Sequence, residues 1–171
     1  MTSHSPSDLI DLTTDRLVLQ PWTMAEATAV LADTRPAHWA DDFPAEGDLV
    51  IAGLFDQHPT WLGECGHRLI IERDSRLVVG SIGLFWPPHE GALEIGYGIV
   101  VSRRGRGYAA EATRALAEFA LTAPGVHTVF ANVELSNPAS VRVLDKAGFH
   151  QAATTGDTAR YEITGPNRHI R

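Results

Sequence analysis

The segment from Val100 to Glu111 most constrains this chain, because it is rich in glycine and arginine and joins a strand pattern to a helix pattern. It reads Val-Val-Ser-Arg-Arg-Gly-Arg-Gly-Tyr-Ala-Ala-Glu. Glycine permits tight turns, and a helix N-terminus presents unpaired N–H groups with a partial positive charge. The segment therefore predicts an anion cradle at residues 104–109. The competing interpretation is a surface turn with solvated arginines. It is neither a Walker loop nor a dinucleotide fingerprint, because the residues that follow the glycines and the glycine spacing differ.

The patterns around this segment predict a mixed α/β sheet. A strand at 16–20 precedes a helix that starts at Thr23, where Thr23 and Glu26 match a capping box. A second helix follows Pro44, carries Leu49, Val50, Leu54 and Phe55, and is expected to end before His58-Pro59. The other expected elements are strands at 68–72, 77–85, 93–101, 128–133, 149–154 and 160–163, and helices at 108–121 and 137–148. We expect a flexible N-terminal tail at 1–12, a single domain over 13–165 and a C-terminal tail at 166–171.

Composition limits the classes of ligand that this chain can bind and the cellular compartments in which it can work. The chain carries 14 basic and 21 acidic side chains, a net charge of −7, which repels nucleic acid. The local cluster of Arg103, Arg104 and Arg106 therefore suits a small phosphorylated ligand. A single cysteine, Cys65, excludes an internal disulfide framework and a cysteine-based zinc site. Without a bilayer-spanning apolar stretch or a basic leader, we expect a cytoplasmic protein that binds neither nucleic acid nor membranes.

Four motifs resemble one known family. Arg104-x-x-Gly107-x-Ala109 matches the Arg/Gln-x-x-Gly-x-Gly/Ala signature of the GNAT N-acetyltransferases, which grips the diphosphate of acetyl-CoA. Residues 14–19, 94–97 and 137–149 resemble the Rim-type branch, which includes ribosomal-protein N-terminal acetyltransferases. The resemblance covers about residues 13–164. It implies an α/β GNAT fold: a mixed, mostly antiparallel central sheet flanked by helices and splayed between the strand at 93–101 and the strand at 128–133.

The resemblance also implies acetyl-CoA as co-substrate, no metal, and direct attack of an amine on the thioester in a ternary complex. A backbone N–H from residues 99–101 would stabilise the oxyanion. Asn137 takes the position that bonds the pantetheine amide, and Ser140 the position near the sulfur. The implied cofactor-binding residues are Ile99, Val100, Val101, Arg104, Gly105, Arg106, Gly107, Tyr108, Ala109, Asn137 and Ser140.

One position departs from the family pattern. Many GNAT enzymes have a tyrosine four residues before the glycine of the final helix, where it protonates the leaving thiolate. Leu144 stands there in this sequence. The Rim-type pattern has Asn-x-x-Ser at the start of this helix instead, so the resemblance implies Ser140, near the sulfur, as the catalytic residue. The alternative is that no dedicated acid is needed, because the CoA thiolate is a fair leaving group. The competing interpretations are a helix-surface hydroxyl for Ser140 and a helix cap alone for Asn137.

The reaction also needs a base, because a primary amine with a pKa of about 10 is mostly protonated at neutral pH. Glu94 is the predicted catalytic base, since it shares a strand face with Gly96 and Gly98. A solvated or salt-bridged carboxylate is an equally good interpretation of this residue. Other candidates for the base are Glu134, His67 and His89.

The identity of the acceptor is less constrained. The leading class is the N-terminal amine of a protein or peptide, and a small amine such as an amino acid, a polyamine or an aminoglycoside is the alternative. A non-catalytic acyl-CoA-binding module is a rival of another kind. Aromatic and acidic residues expected on the acceptor side are Trp39, Asp41, Asp42, Glu46, Trp61 and Trp86. We expect a monomer or a homodimer.

Overall fold

The computed structural model describes residues 9–165, which form one eight-stranded sheet and four helices. The elements are β1 (Leu12–Thr13), β2 (Leu17–Pro21), α1 (Met24–Ala32), α2 (Glu46–Ala52), β3 (His67–Glu72), β4 (Val78–Leu84), β5 (Ala92–Ile99), α3 (Tyr108–Ala120), β6 (Thr128–Glu134), α4 (Pro138–Lys146), β7 (His150–Thr155) and β8 (Thr158–Thr164). The strand order is β1-β2-β3-β4-β5-β6-β8-β7, and the β5–β6 pair is parallel while the others are antiparallel.

The sheet opens between β5 and β6, as expected. These strands pair only from Ala92 to Glu94, opposite Thr128 to Phe130. Beyond Glu94, β5 stays paired with β4 and β6 stays paired with β8, so β5 and β6 diverge from each other. The gap leaves one edge of β5 without a neighbouring strand.

Local sequence signals set several helix ends. Thr23 caps α1, and its side chain and that of Glu26 form the predicted capping box. Asn137 caps α4, accepting from the Ser140 N–H at 3.3 Å, with Pro138 in the first turn.

The second helix differs from its prediction. It ends at Ala52, earlier than expected, and Leu49 and Val50 are exposed while Asp48 and Ala52 are buried. The reason is polar: the Asp48 carboxylate accepts from the Ala45 N–H at 2.8 Å and from the Ser81 hydroxyl of β4. These bonds turn Asp48, rather than the neighbouring apolar side chains, toward the sheet.

Two predicted segment ends also move. The strand expected at 93–101 stops at Ile99, and residues 101–103 form a 3₁₀ turn in which Arg103 N–H bonds Val100 O at 3.0 Å. The expected loose tail at 1–12 does not extend to its C-terminal end, since Leu12 pairs with Leu19. Residues 1–8 of that tail and the tail at 166–171 lie outside the described residues.

The core lies on both faces of the sheet. All seven residues of β4 are buried, because α2 covers one face at Ser81 and α3 packs against β2, β4 and β5. None of the helices in residues 9–165 is long and apolar enough to cross a bilayer.

Candidate active site

Two glycines shape the loop before α3. Gly105 and Gly107 have φ values of 78° and 82°, a region that favours glycine, and α3 starts at Tyr108. The first helical bond runs from Glu111 N–H to Gly107 O at 3.1 Å. Within the described residues, no acceptor bonds the N–H groups of residues 105–110. The free amides therefore extend one residue beyond the predicted cradle at its C-terminal end and omit Arg104, whose N–H bonds Val101 O at 3.2 Å.

This loop forms one wall of a cavity of about 500 Å³ between β5 and α4, a size that suits a cofactor or small ligand. Most of the residues predicted to bind the cofactor line it. They are Ile99, Arg104, Gly105, Gly107, Tyr108, Ala109, Asn137 and Ser140.

Three predicted residues do not line the cavity. Val100 is buried and its N–H bonds Val79 O at 2.9 Å, so this amide belongs to the sheet. Val101 is 70% exposed on the 3₁₀ turn. The Arg106 side chain turns away to Glu72, at 3.3 Å.

Glu72 anchors the loop from β3. Its carboxylate accepts from the Tyr108 hydroxyl at 2.7 Å and from Ser75 at 2.7 Å, and it pairs with Arg103 at 3.2 Å as well as with Arg106. Burial opposes the charged form, but these hydrogen bonds and the Arg103 charge outweigh it and lower the pKa of Glu72. Two of the three clustered arginines are therefore committed to a structural anion.

A second clamp holds the outer side of the loop. Glu111, in the first turn of α3, pairs with Arg16 at 2.8 Å and accepts from Thr14 at 2.5 Å. Arg16 also donates to the Arg106 carbonyl at 2.7 Å. Residues 14–16 therefore connect the N-terminal strands to the cradle. These contacts give the sequence motif at residues 14–19 a structural role.

The open edge of β5 supplies further polar groups. Val100 N–H bonds Val79 O and Phe85 N–H bonds Glu94 O, so the even-numbered residues of β5 pair with β4. Antiparallel ladders alternate, so the N–H and C=O groups of Tyr97 and Ile99 face the gap. The Ile99 carbonyl already accepts from Arg104 Nε at 3.0 Å. Of residues 99–101, which were predicted to supply the N–H group for the oxyanion, Ile99 is thus the one whose N–H lies at the open edge of β5. That the N–H of Tyr97 lies there too was not predicted from the sequence.

Cations from α4 complete the cavity wall. Arg142 and Lys146 line it together with Arg103 and Arg104, and none of the described lining residues is acidic. Sequence reasoning missed the two α4 cations. Their i, i+4 spacing, which places them on one helix face, was the available signal.

Three α4 positions were singled out by the sequence. Asn137 caps the helix and also lines the cavity. Ser140 lines the cavity from the first turn. Leu144 is 1% exposed and belongs to the hydrophobic core.

Glu94 lies on the other face of β5, at the point where the strands separate. Its face includes Gly98, which pairs with Ser81, and Ser81 bonds Asp48 of α2, so this is the α2 side of the sheet. Space remains there, because a Cβ on Gly98 would meet no atom within 4 Å. Glu94 is half-buried and does not line the cavity.

The other predicted bases lie elsewhere. His67 is buried among aromatic rings, and burial lowers its pKa to about 4, so it is a weak base at neutral pH. His89 is exposed at a bridge to Ala92, and Glu134 is exposed at the end of β6. Neither lines the cavity.

The predicted acceptor-side residues do not form one cluster. Trp39 and Trp61 belong to the core, and Trp86 is half-buried. Asp42 is tied to the turn before the cradle, accepting from the Ser102 N–H at 2.9 Å and from its hydroxyl at 2.8 Å. Asp41 and Glu46 are exposed. In the described range, no group of three or more His, Cys, Asp or Glu side chains could hold a metal ion.

Comparison with known proteins agrees with this geometry. A sequence profile described as "Acetyltransferase (GNAT) domain" matches residues 16–150. The chain belongs to the GNAT acetyltransferase family. This GNAT chain is 35% identical over 82 residues to the uncharacterized N-acetyltransferase YjdG of Bacillus subtilis, covering 47% of this chain and 49% of YjdG. It is 29% identical over 172 residues to YoaA of the same organism, covering 91% and 97% of the two chains. Several matched relatives, YjdG among them, are thus aligned over only about half of their length.

Solved structures share the GNAT fold. An acetyltransferase from Agrobacterium tumefaciens has a TM-score of 0.65 at 22% identity and covers 96% of this chain and 98% of its own. RimL, a ribosomal L7/L12 α-N-protein acetyltransferase in complex with coenzyme A, has a TM-score of 0.64 at 16% identity, covering 91% and 98%. A dodecameric spermidine N-acetyltransferase from Vibrio cholerae has a TM-score of 0.63 at 17% identity, covering 88% and 95%. At these identities the likeness extends to the fold alone.

Proposed function

We propose that this GNAT protein transfers the acetyl group of acetyl-CoA to a primary amine, with the N-terminal amine of a protein or peptide as the leading acceptor. The observation that carries the proposal is the row of free N–H groups at residues 105–110, which opens into a cavity lined by four cations. Backbone amides at a helix N-terminus bind phosphate groups well.

The residues present fit this co-substrate. The amides of residues 105–110 hold the diphosphate, and Arg104, Arg142 and Lys146 add the positive charge that its phosphates need. The edge groups of Tyr97 and Ile99 bond the amide-bearing arm as an added strand would. Asn137 and Ser140 border the same path on α4. Acetyl-CoA supplies the activated acyl group.

The amine reaches the reaction from the opposite face of β5. Glu94 takes a proton from the incoming ammonium group, directly or through water, and the open face above Gly98 leaves room for the acceptor. An edge N–H of β5 stabilises the developing oxyanion. This arrangement lets the two substrates meet at the strand from different sides.

The acceptor class rests on the Rim-type motifs and on the neighbour whose name states α-N-protein acetylation. The second candidate is a small cationic amine, because Asp41, before α2, and Glu46, at its first residue, leave exposed negative charge. A neighbouring spermidine acetyltransferase represents this chemistry. A cytoplasmic location and a monomeric or homodimeric state also remain predictions.

The proposal is tested by thiol release from acetyl-CoA in the presence of short peptides with free N-termini, the same peptides with blocked N-termini, spermidine, amino acids and aminoglycosides. We expect the free peptides to react fastest. A faster reaction with spermidine would favour the second candidate. Tight coenzyme A binding without thiol release for any amine would identify a non-catalytic binding module.

Glu94→Gln tests the base in the same assay. We expect kcat to fall by about 100-fold, because the amide cannot accept the proton, while acetyl-CoA affinity stays unchanged in calorimetry. Glu134→Gln is the matched control and should retain wild-type kcat. Equal activity of both variants would remove Glu94 from the mechanism.

A further inference from the structure

Tyr97 is a cavity residue whose side chain has no role in the proposed function. It lies on β5 in the stretch that has separated from β6. Tyr97 lines the cavity, and its hydroxyl lies 3.5 Å from the Ser140 carbonyl oxygen in the first turn of α4. The Tyr97 side chain therefore connects the splayed strand with the helix that bears Leu144, on the face opposite to Glu94.

We propose that Tyr97 is the proton donor to the leaving sulfur, a role that rests on the proposed acetyl transfer. The amine nitrogen forms a bond to the carbonyl carbon, the carbon–sulfur bond breaks, and its electron pair goes to sulfur. The phenolic proton passes to that sulfur and yields the free thiol. The nitrogen releases one proton as the amide forms, and the phenolate regains one from solvent.

Competing donors in the cavity are less suitable. Tyr108 also lines it, but its hydroxyl donates to Glu72 at 2.7 Å and is committed there. The Ser140 hydroxyl is an aliphatic alcohol, a far weaker acid than a phenol. The charged side chains on the wall have other partners: Arg103 pairs with Glu72, and the proposed function assigns Arg104, Arg142 and Lys146 to the phosphates.

The chemistry of the phenol fits the task. A phenol with a pKa of about 10 is only slightly less acidic than a thiol at about 8.5, so proton transfer to a nascent thiolate is accessible. Burial raises the pKa of Tyr97, against a smaller effect of the Ser140 carbonyl, and keeps the hydroxyl protonated at neutral pH. The 3.5 Å contact is at the long end of hydrogen bonding, so the hydroxyl can rotate toward another acceptor.

Tyr97→Phe is the first test, assayed with acetyl-CoA and the fastest amine of the panel. We expect kcat to fall by about 100-fold while the Kd for acetyl-CoA and the melting temperature stay near wild type. Tyr161→Phe, a buried tyrosine on β8 outside the cavity wall, is the control and should be fully active. A Tyr97→Phe variant with wild-type kcat would overturn the proposal.

A second test separates proton donation from packing. Site-specific incorporation of a fluorinated tyrosine at position 97 makes the hydroxyl more acidic with little change of shape. We expect the alkaline limb of the kcat–pH profile to move to lower pH, whereas the same substitution at Tyr161 leaves it in place. An unmoved limb would contradict the assignment. Wild-type protein that binds acetyl-CoA but acetylates no amine would instead overturn the proposed function, and with it this role.

Discussion

At the scale of single residues, Gly107 matters for a reason that is both conformational and chemical. It is the N-cap of α3, with φ at 82°, and it lines the cavity where the free N–H groups of the first helical turn begin. A Cβ added there would meet Arg16 Nη2 at 3.3 Å, the group that clamps the loop. A side chain would therefore disturb both the backbone and its support.

Gly107→Ala should weaken acetyl-CoA binding by about tenfold or more and destabilise the fold by about 1–2 kcal/mol, the cost of a left-handed alanine. Calorimetry and urea unfolding measure the two effects. Gly125→Ala is the matched control, because its φ is 85° and its Cβ would meet no atom within 4 Å. We expect it to lose similar stability without losing affinity. Equal affinity in both variants would contradict the cradle.

At the scale of elements, Glu72 joins β3 to the loop before α3. It is 5% exposed and holds two arginines and the Tyr108 hydroxyl, so a strand far from the cradle in sequence fixes its shape. The charge on this carboxylate stabilises the fold, because its pKa is lowered in the folded state. That contribution is present above its ordinary pKa of 4.5 and is lost as the pH falls through the lowered value.

Glu72→Gln should destabilise the protein by about 1–3 kcal/mol at neutral pH, since two guanidinium groups lose their anion. It should also weaken acetyl-CoA binding and flatten the dependence of stability on pH below 4.5. Urea unfolding over a pH series measures the stability and its pH dependence, and calorimetry measures the acetyl-CoA affinity. Glu118→Gln is the control, because its pair with Arg114 is exposed and contributes at most about 1 kcal/mol. An unchanged pH dependence in Glu72→Gln would refute the anchor.

At the scale of the whole molecule, an aromatic cluster fastens the segment before β3 to the sheet. His67 makes ring contacts with Phe55, Trp61 and Phe85 at centroid distances of 5.1 to 5.8 Å. Burial lowers the pKa of His67 from 6.5 to about 4, so the unfolded chain binds a proton that the folded chain does not. Stability from this group is therefore complete above pH 6.5 and declines as the pH falls toward 4.

Wild-type protein should lose up to about 1.4 kcal/mol of unfolding free energy per pH unit between pH 6 and 5 from this residue. His67→Gln should be less stable at pH 7, because it loses the ring contacts, but should lack this slope. His150→Gln, at an exposed position of β7, should keep it. Urea unfolding at several pH values checks the slope, and its persistence in His67→Gln would assign it to another group.

Much of the fold was predictable because its signals are local. The capping box at Thr23, the cap at Asn137 and the glycine-rich turn before α3 each involve residues close in sequence, and each fixes an element end. The order of strands and helices follows from them. The family motifs then implied the splayed sheet, which the structure confirms.

Tertiary structure decided which groups face the cavity, because that depends on partners distant in the chain. The sequence predicted Arg106 as a phosphate ligand, but in the structure its side chain pairs with Glu72. The Val100 N–H, also predicted to bind the cofactor, bonds Val79 O of β4. Tyr97 lines the cavity because β5 has separated from β6 at this point and α4 lies within contact distance of its hydroxyl. The sequence by itself determined where the backbone amides before α3 stay free, since turn geometry is local. Long-range pairing selected which charges and hydroxyls remain free to act.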